Sequence, residues 1–162
     1  MCKPNATYGR PKRFESATMT FEEYTSYMKW RSDLLMSGRH DDLARHYELP
    51  HQLDLAGRLL VLTSRDDVVL HLHRLRLALR ARGIVDLVPQ VTAIELPADL
   101  QRVWVSWEAF DACGAVMGQA ESIYTMDRTR GGLRAKAIHN PTLLVPEFAL
   151  PHYRNRLIRS RA

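Results

Sequence analysis

A chain of 162 residues, 46% hydrophobic and 25% charged, has the size and composition of one globular domain, which excludes fibrous and disordered classes. No apolar run approaches the roughly 20 residues of a membrane helix, and the basic residues of 1–16 have no apolar stretch behind them, so neither a membrane span nor a secretory signal is expected. The net charge of +5 belongs to the ends: residues 1–15 carry +3 and residues 152–162 carry +4, so the body between them is net negative.

Charge placed this way argues against a basic groove for nucleic acid, and no zinc-finger, helix-turn-helix or RNA-recognition pattern is present. The arginines from Arg154 to Arg161 read as a solvated tail, with contact to an acidic partner as the alternative. The two cysteines, Cys2 and Cys113, form no disulfide framework or C-x-x-C site. A cytoplasmic protein is expected, with Cys113 as a small buried hydrophobe.

Residues 1–18, with Pro4, Gly9 and Pro11 among basic and small residues, read as a leader. Thr20-Phe21-Glu22-Glu23 then forms a capping box. Phe21, Tyr24, Met28 and Leu35, flanked by Tyr27, Trp30 and Leu34, recur at helical spacing up to Ser37, and Gly38 ends the helix. A short second helix is predicted over 41–47, stopped by Pro50. Two short strands, 52–57 and 58–62, meet at a Gly57 turn. Ser64 to Asp67 cap a third helix with the apolar stripe Val68, Val69, Leu72, Leu75 and Leu79, closed by arginines before Gly83.

From residue 84 the apolar period changes from 3.6 to 2. Residues 84–96 are rich in Val and Ile but hold Pro89, which predicts an edge strand or a bulge. Residues 100–113 alternate, with Val103, Val105, Trp107 and Ala109 on one face and Arg102, Trp104, Ser106, Glu108 and Phe110 on the other. Residues 115–127 and 133–139 complete an antiparallel meander through Gly114 and Gly131-Gly132, and Asn140-Pro141 stops it. These strands are long enough to twist and bend. The predicted fold is α+β: a cone-shaped, curved, antiparallel or mixed sheet capped by three helices from the N-terminal half. The domain covers 19–140, and 141–162 is a C-terminal extension with a basic end.

This order of elements over 20–140, with the Trp104–Trp107 strand, the Gly131-Gly132 hairpin and the Leu133 strand, resembles the nuclear transport factor 2-like superfamily. Its members include ketosteroid isomerase, scytalone dehydratase and the polyketide-cyclase-like (SnoaL-like) proteins. The resemblance implies a small cofactor-independent enzyme working by proton transfer on an apolar carbonyl compound, or a binding or dimerisation module without catalysis.

The candidate site follows from strand parity. With Leu133 pointing inward, Ala135, Ala137 and His139 follow it, and two alanines leave space. On the preceding strand Gly118, Ala120 and Ser122 lead to Tyr124, while Trp107 supplies an aromatic wall. The expected site is an apolar pocket with His139 and Tyr124 as proton-transfer residues and Trp107, Ala135, Ala137 and Tyr24 contacting the ligand. Against each stands a plainer reading: His139 bonded or exposed at a strand end, Tyr124 a core tyrosine, and the helix aromatics Tyr24, Tyr27 and Trp30 core residues. Asp86 and Glu108 are carboxylates on strands; parity puts Glu108 with Arg102 on the opposite face, and no acid is placed inside the cone.

His71 and His73 lie about 200° apart on their helix and cannot share a metal. His40, His46 and His51 have no carboxylate at ligand spacing, so no metal and no cofactor are expected. The mixed aromatic and charged face with Trp104 and Phe110 suits a homodimer contact. The segment 141–151, with Leu143, Leu144, Val145, Phe148 and Leu150, is expected over a rim of the sheet or on a second subunit.

Overall fold

The computed structural model describes residues 19–95, 100–129 and 131–149. The leader, Cys2, Leu150 and the arginine-rich end lie outside the described residues. Three helices, α1 (Phe21–Met36), α2 (His40–Ala44) and α3 (Arg65–Ala81), lie on one side of a sheet. Its strands are β1 (Tyr47–Leu55), β2 (Leu59–Leu62), β3 (Asp86–Glu95), β4 (Leu100–Phe110), β5 (Val116–Thr129) and β6 (Gly132–Asn140). Their spatial order is β2-β1-β6-β5-β4-β3. β1 runs parallel to β6 and the other pairs are antiparallel.

Both long helices start on capping boxes read from the sequence. Thr20 Oγ1 accepts from Glu23 N while Glu23 Oε2 accepts from Thr20 N at 2.7 Å. Ser64 and Asp67 do the same for α3, so first-turn donors that would otherwise lack partners are satisfied. Pro89 does fall on an edge strand, β3, where a missing N–H costs no ladder bond.

Two boundaries differ from expectation. The second helix closes at Ala44, and Tyr47 opens β1 instead, paired to Ala135 of β6. Pro50 interrupts no pairing there, because it lies in the register shift between Tyr47 and Gln52. Cys113 is exposed, not buried: β4 stops at Phe110, and Asp111 Oδ1 accepts from the amides of Cys113 and Ala115, each at 2.8 Å. That side chain builds a turn where further alternation was expected.

Three of the antiparallel pairings carry one unmatched residue. On β3 the ladder skips between Val91 and Ala93, on β5 between Val116 and Gly118, and on β6 between Ala135 and Ala137. A bulge bends its strand and increases the local twist, so the sheet curls into an open cone. The concave face contributes Val103, Val105, Ala109 and Met126, all at most 1% exposed, and packs against Met28, Val68, Leu72 and Leu79 of the helices. After β6 the chain folds back over the sheet, burying Val145 and Phe148. It fits closely because residue 118 is glycine: a Cβ there would lie 3.3 Å from Leu144 Cδ2.

Tyr24 is fully buried in this core, yet among the described residues its hydroxyl has no hydrogen-bond partner. An unsatisfied buried hydroxyl costs about 1–3 kcal/mol. Tyr24→Phe is therefore expected to raise stability by about 1 kcal/mol in urea denaturation, and a loss of that size would show that the hydroxyl is bonded in solution.

Candidate functional site

Between the helices and the concave face lies a cavity of about 130 Å³. An engineered apolar cavity of about 150 Å³ takes one benzene ring, so this space suits a compact ligand. Leu35 of α1 and Leu72 and Leu75 of α3 form its roof, and Trp107, Tyr124 and Ile138 of the sheet its floor. Ala120 leaves part of that floor low. Leu143 and Leu144 close one side, beside the exposed Thr142.

Trp107 and Tyr124 thus stand where strand parity puts them. The other expected residues do not meet at the cavity. The extra residue on β6 falls at Lys136: Ala135 lies opposite Met126 and Ala137 opposite Thr125. Inward and outward exchange at that point, so Ile138 and Asn140 line the cavity while Ala137 and His139 turn to the outer face. His139 is about half exposed there, its Nδ1 2.8 Å from Asp54 Oδ2 of the adjacent β1. Its expected place as a pocket acid or base is corrected accordingly. Ala135 is fully buried but is not part of the cavity lining, its carbonyl lying 3.1 Å from His51 Nδ1, and Tyr24 does not line the cavity either.

Most polar groups at the cavity are engaged by the protein. Ser122 Oγ donates to Asn140 Oδ1 at 2.7 Å, and Asn140 Nδ2 donates to the Asp54 carbonyl. Ser32 Oγ lies 3.0 Å from the Leu87 carbonyl. Among the described residues no carboxylate lines the cavity.

Arg31 is the residue that sequence reading passed over. It is 4% exposed, on the buried stripe of α1 with Tyr24, Met28 and Leu35. That stripe, at i, i+4, i+7 and i+11, was the available signal: an arginine occupies a position where the pattern asks for an apolar residue. Its guanidinium carbon lies 4.8 Å from the ring centre of Tyr47, 5.7 Å from Tyr124 and 5.8 Å from Tyr27. Nη1 donates to Tyr27 Oη at 3.3 Å and to the His46 carbonyl at 3.5 Å, both long. Among the described residues no carboxylate comes within ion-pair distance.

Two buried histidines flank this group. His71 lines the cavity; burial, with Arg74 nearby, lowers its pKa to about 4. His51 is lowered to about 3, first by burial and then by the charge of Arg31. The Ala135 carbonyl, 3.1 Å from His51 Nδ1, can only accept, so that nitrogen carries the proton, and among the described residues the buried Nε2 has no partner. Burial also raises the Tyr124 phenol well above its usual range, against the opposing charge of Arg31. Near pH 7 the centre therefore holds one cation among neutral groups.

No protein-family model matches the chain, and no curated protein matches it. Solved structures do. A nuclear transport factor 2-like protein with a cystatin-like fold from Novosphingobium aromaticivorans aligns over 74% of this chain and 79% of its own, at TM-score 0.56 and 18% identity. A domain of unknown function with a cystatin-like fold from Nostoc punctiforme aligns over 90% and 96%, at 0.59 and 12%. Aln2 from a Streptomyces species aligns over 74% and 88%, at 0.54 and 16%. The chain has the nuclear transport factor 2-like cone fold, as its order of elements implied. Among the described residues no helix is long and apolar enough to cross a membrane.

The two buried histidines make stability depend on pH. Each stays neutral when folded but takes a proton near pH 6.5 when unfolded, so the unfolded state binds more protons at lower pH. Their contribution is complete above pH 6.5 and falls as pH drops toward about 4 for His71 and about 3 for His51. Between pH 7 and 5 this amounts to roughly 2 kcal/mol each. Urea denaturation across that range should show His71→Gln and His51→Gln each removing part of the loss; unchanged pH dependence in both would refute the buried neutral assignment.

Proposed function

We propose that this chain is a small-molecule-binding protein whose cone holds one compact, largely apolar ligand. The observation carrying this reading is the unfilled space roofed by Leu72 and Leu75 and floored by Trp107, Tyr124 and Ile138. Cores normally pack to the density of organic crystals, so a space of this size in one is a binding feature in its own right.

A cofactor-independent cyclase, isomerase or dehydratase is the second reading. It is favoured by His71 and Tyr124 facing the same cavity, one neutral and able to accept a proton, the other able to donate a hydrogen bond. Two facts weigh against it. A base near pKa 4 is weak at neutral pH, and His139 stands on the other face. Binding without turnover is the reading the geometry supports better.

Toluene serves as a neutral probe. At saturation it is expected to stabilise the protein by about 1 kcal/mol, raising the melting temperature by about 2–4 °C. Ala120→Leu, which places a larger side chain on the cavity floor, should abolish that rise while leaving the protein folded. An equal rise in the variant would place toluene elsewhere.

The outer face of the sheet belongs to the same proposal as a homodimer contact. Trp104 and Phe110 are only partly buried there, beside Ser106 and Glu108. Sedimentation at micromolar concentration is expected to show a dimer, shifted to monomer by Trp104→Glu. A monomeric wild type would remove this contact.

A further inference from the structure

We propose that Arg31 is the anchor for a carboxylate, so that the ligand of this cavity is a small organic acid with a compact apolar body. The inference rests on the binding reading above and deepens it by naming the head group.

The argument starts from cost. Moving a charged side chain out of water costs several kcal/mol even after relaxation, and proteins offset it with a counter-ion and a full set of hydrogen bonds. Arg31 is 4% exposed and always charged. Among the described residues its five N–H donors find two long hydrogen bonds, both through Nη1, and an approach to the Tyr47 hydroxyl, none of them to a charged group. The three tyrosine rings around it lower the cost, since a cation over an aromatic face is attracted by the negative face of the ring. They supply no negative charge. Among the described residues no carboxylate supplies it either. Arg31 is one of the residues lining the cavity, and its guanidinium carbon lies 4.8 Å and 5.7 Å from the ring centres of Tyr47 and Tyr124, which line it too, so the missing anion has room to arrive as ligand.

The chemistry narrows the anion. Arg31 is the one cation among the described residues lining the space, because the burial that keeps His71 neutral removes the other candidate. A single planar fork matches a planar monoanion through two parallel hydrogen bonds, whereas a phosphate dianion would leave a buried charge unmatched. Much of the remaining wall is apolar, Leu35, Leu72, Trp107 and Ile138 among it, which fits a ring or a branched chain behind the head group. An acid of about one ring fills the available volume.

Three probes of nearly equal size separate the possibilities by calorimetry and ligand-detected NMR on the full chain at pH 7: benzoate, its neutral isostere benzamide, and toluene. Benzoate is expected to bind at least tenfold more tightly than benzamide and to displace toluene. Arg31→Met, which keeps an unbranched stem of similar length, should bring benzoate to the level of benzamide or below while toluene still enters. Arg31→Lys should recover only part of the difference. The comparison of benzoate with benzamide on the unaltered protein needs no variant, so a misfolded Arg31→Met does not remove the test. Benzoate no tighter than benzamide, with toluene still bound, would overturn the anchor and leave the cavity reading standing. Entry of none of the three would overturn both.

Discussion

One extra residue on β6 decides what this protein presents to its interior. Side chains on a strand alternate between faces, so an unmatched residue at Lys136 exchanges the two faces for the rest of the strand. Ile138 and Asn140 then face the helices, and Ala137 and His139 face away. Asn140 is thereby able to link Ser122 of β5 to the backbone of β1 across the cavity wall. His139 is brought instead beside Asp54 on the outer face. With the bulges near Thr92 and Met117, the same device curls the sheet and gives the helices a concave surface to cover.

Two costly features meet inside that surface. An unfilled space of about 130 Å³ leaves the apolar side chains that line it without packing partners on one side. Beside it lies a buried arginine whose charge meets, among the described residues, aromatic rings and two long hydrogen bonds but no carboxylate. Neither is required by the fold, because a leucine at position 31 would continue the α1 stripe and a larger residue at Ala120 would fill the floor. Natural sequences depart from such local rules mainly at functional sites. The satisfied polar groups nearby, Ser122 and Asn140 among them, mark the contrast: they hold the wall together, and Arg31 faces what the wall encloses.

Much of the architecture was legible in the residues. The capping boxes at Thr20 and Ser64, the stripe of α3, the clean alternation of β4 and the edge position announced by Pro89 depend on local chemistry, and each stands as read. Trp107 and Tyr124 were placed at the cavity because β4 and β5 keep their parity through those positions. The inner face of β6 was not legible, since its bulge arises from pairing with β5 and leaves no mark in the sequence of β6 itself. Cys113 was misplaced because Asp111, two residues earlier, bonds the following amides and ends the strand. Arg31 was visible in the spacing but was overlooked among the aromatic residues of α1. Its meaning came only from what surrounds it.

Reactivity of single cysteines placed at 137, 138, 139 and 140, in a background with Cys2→Ser and Cys113→Ser, tests the β6 assignment most directly. Residues 137 and 139 should react quickly with a thiol reagent and residues 138 and 140 slowly, because the first pair faces outward and the second lines the cavity. The reverse order, with 137 and 139 protected, would show that β6 keeps uninterrupted alternation and would return His139 to the interior.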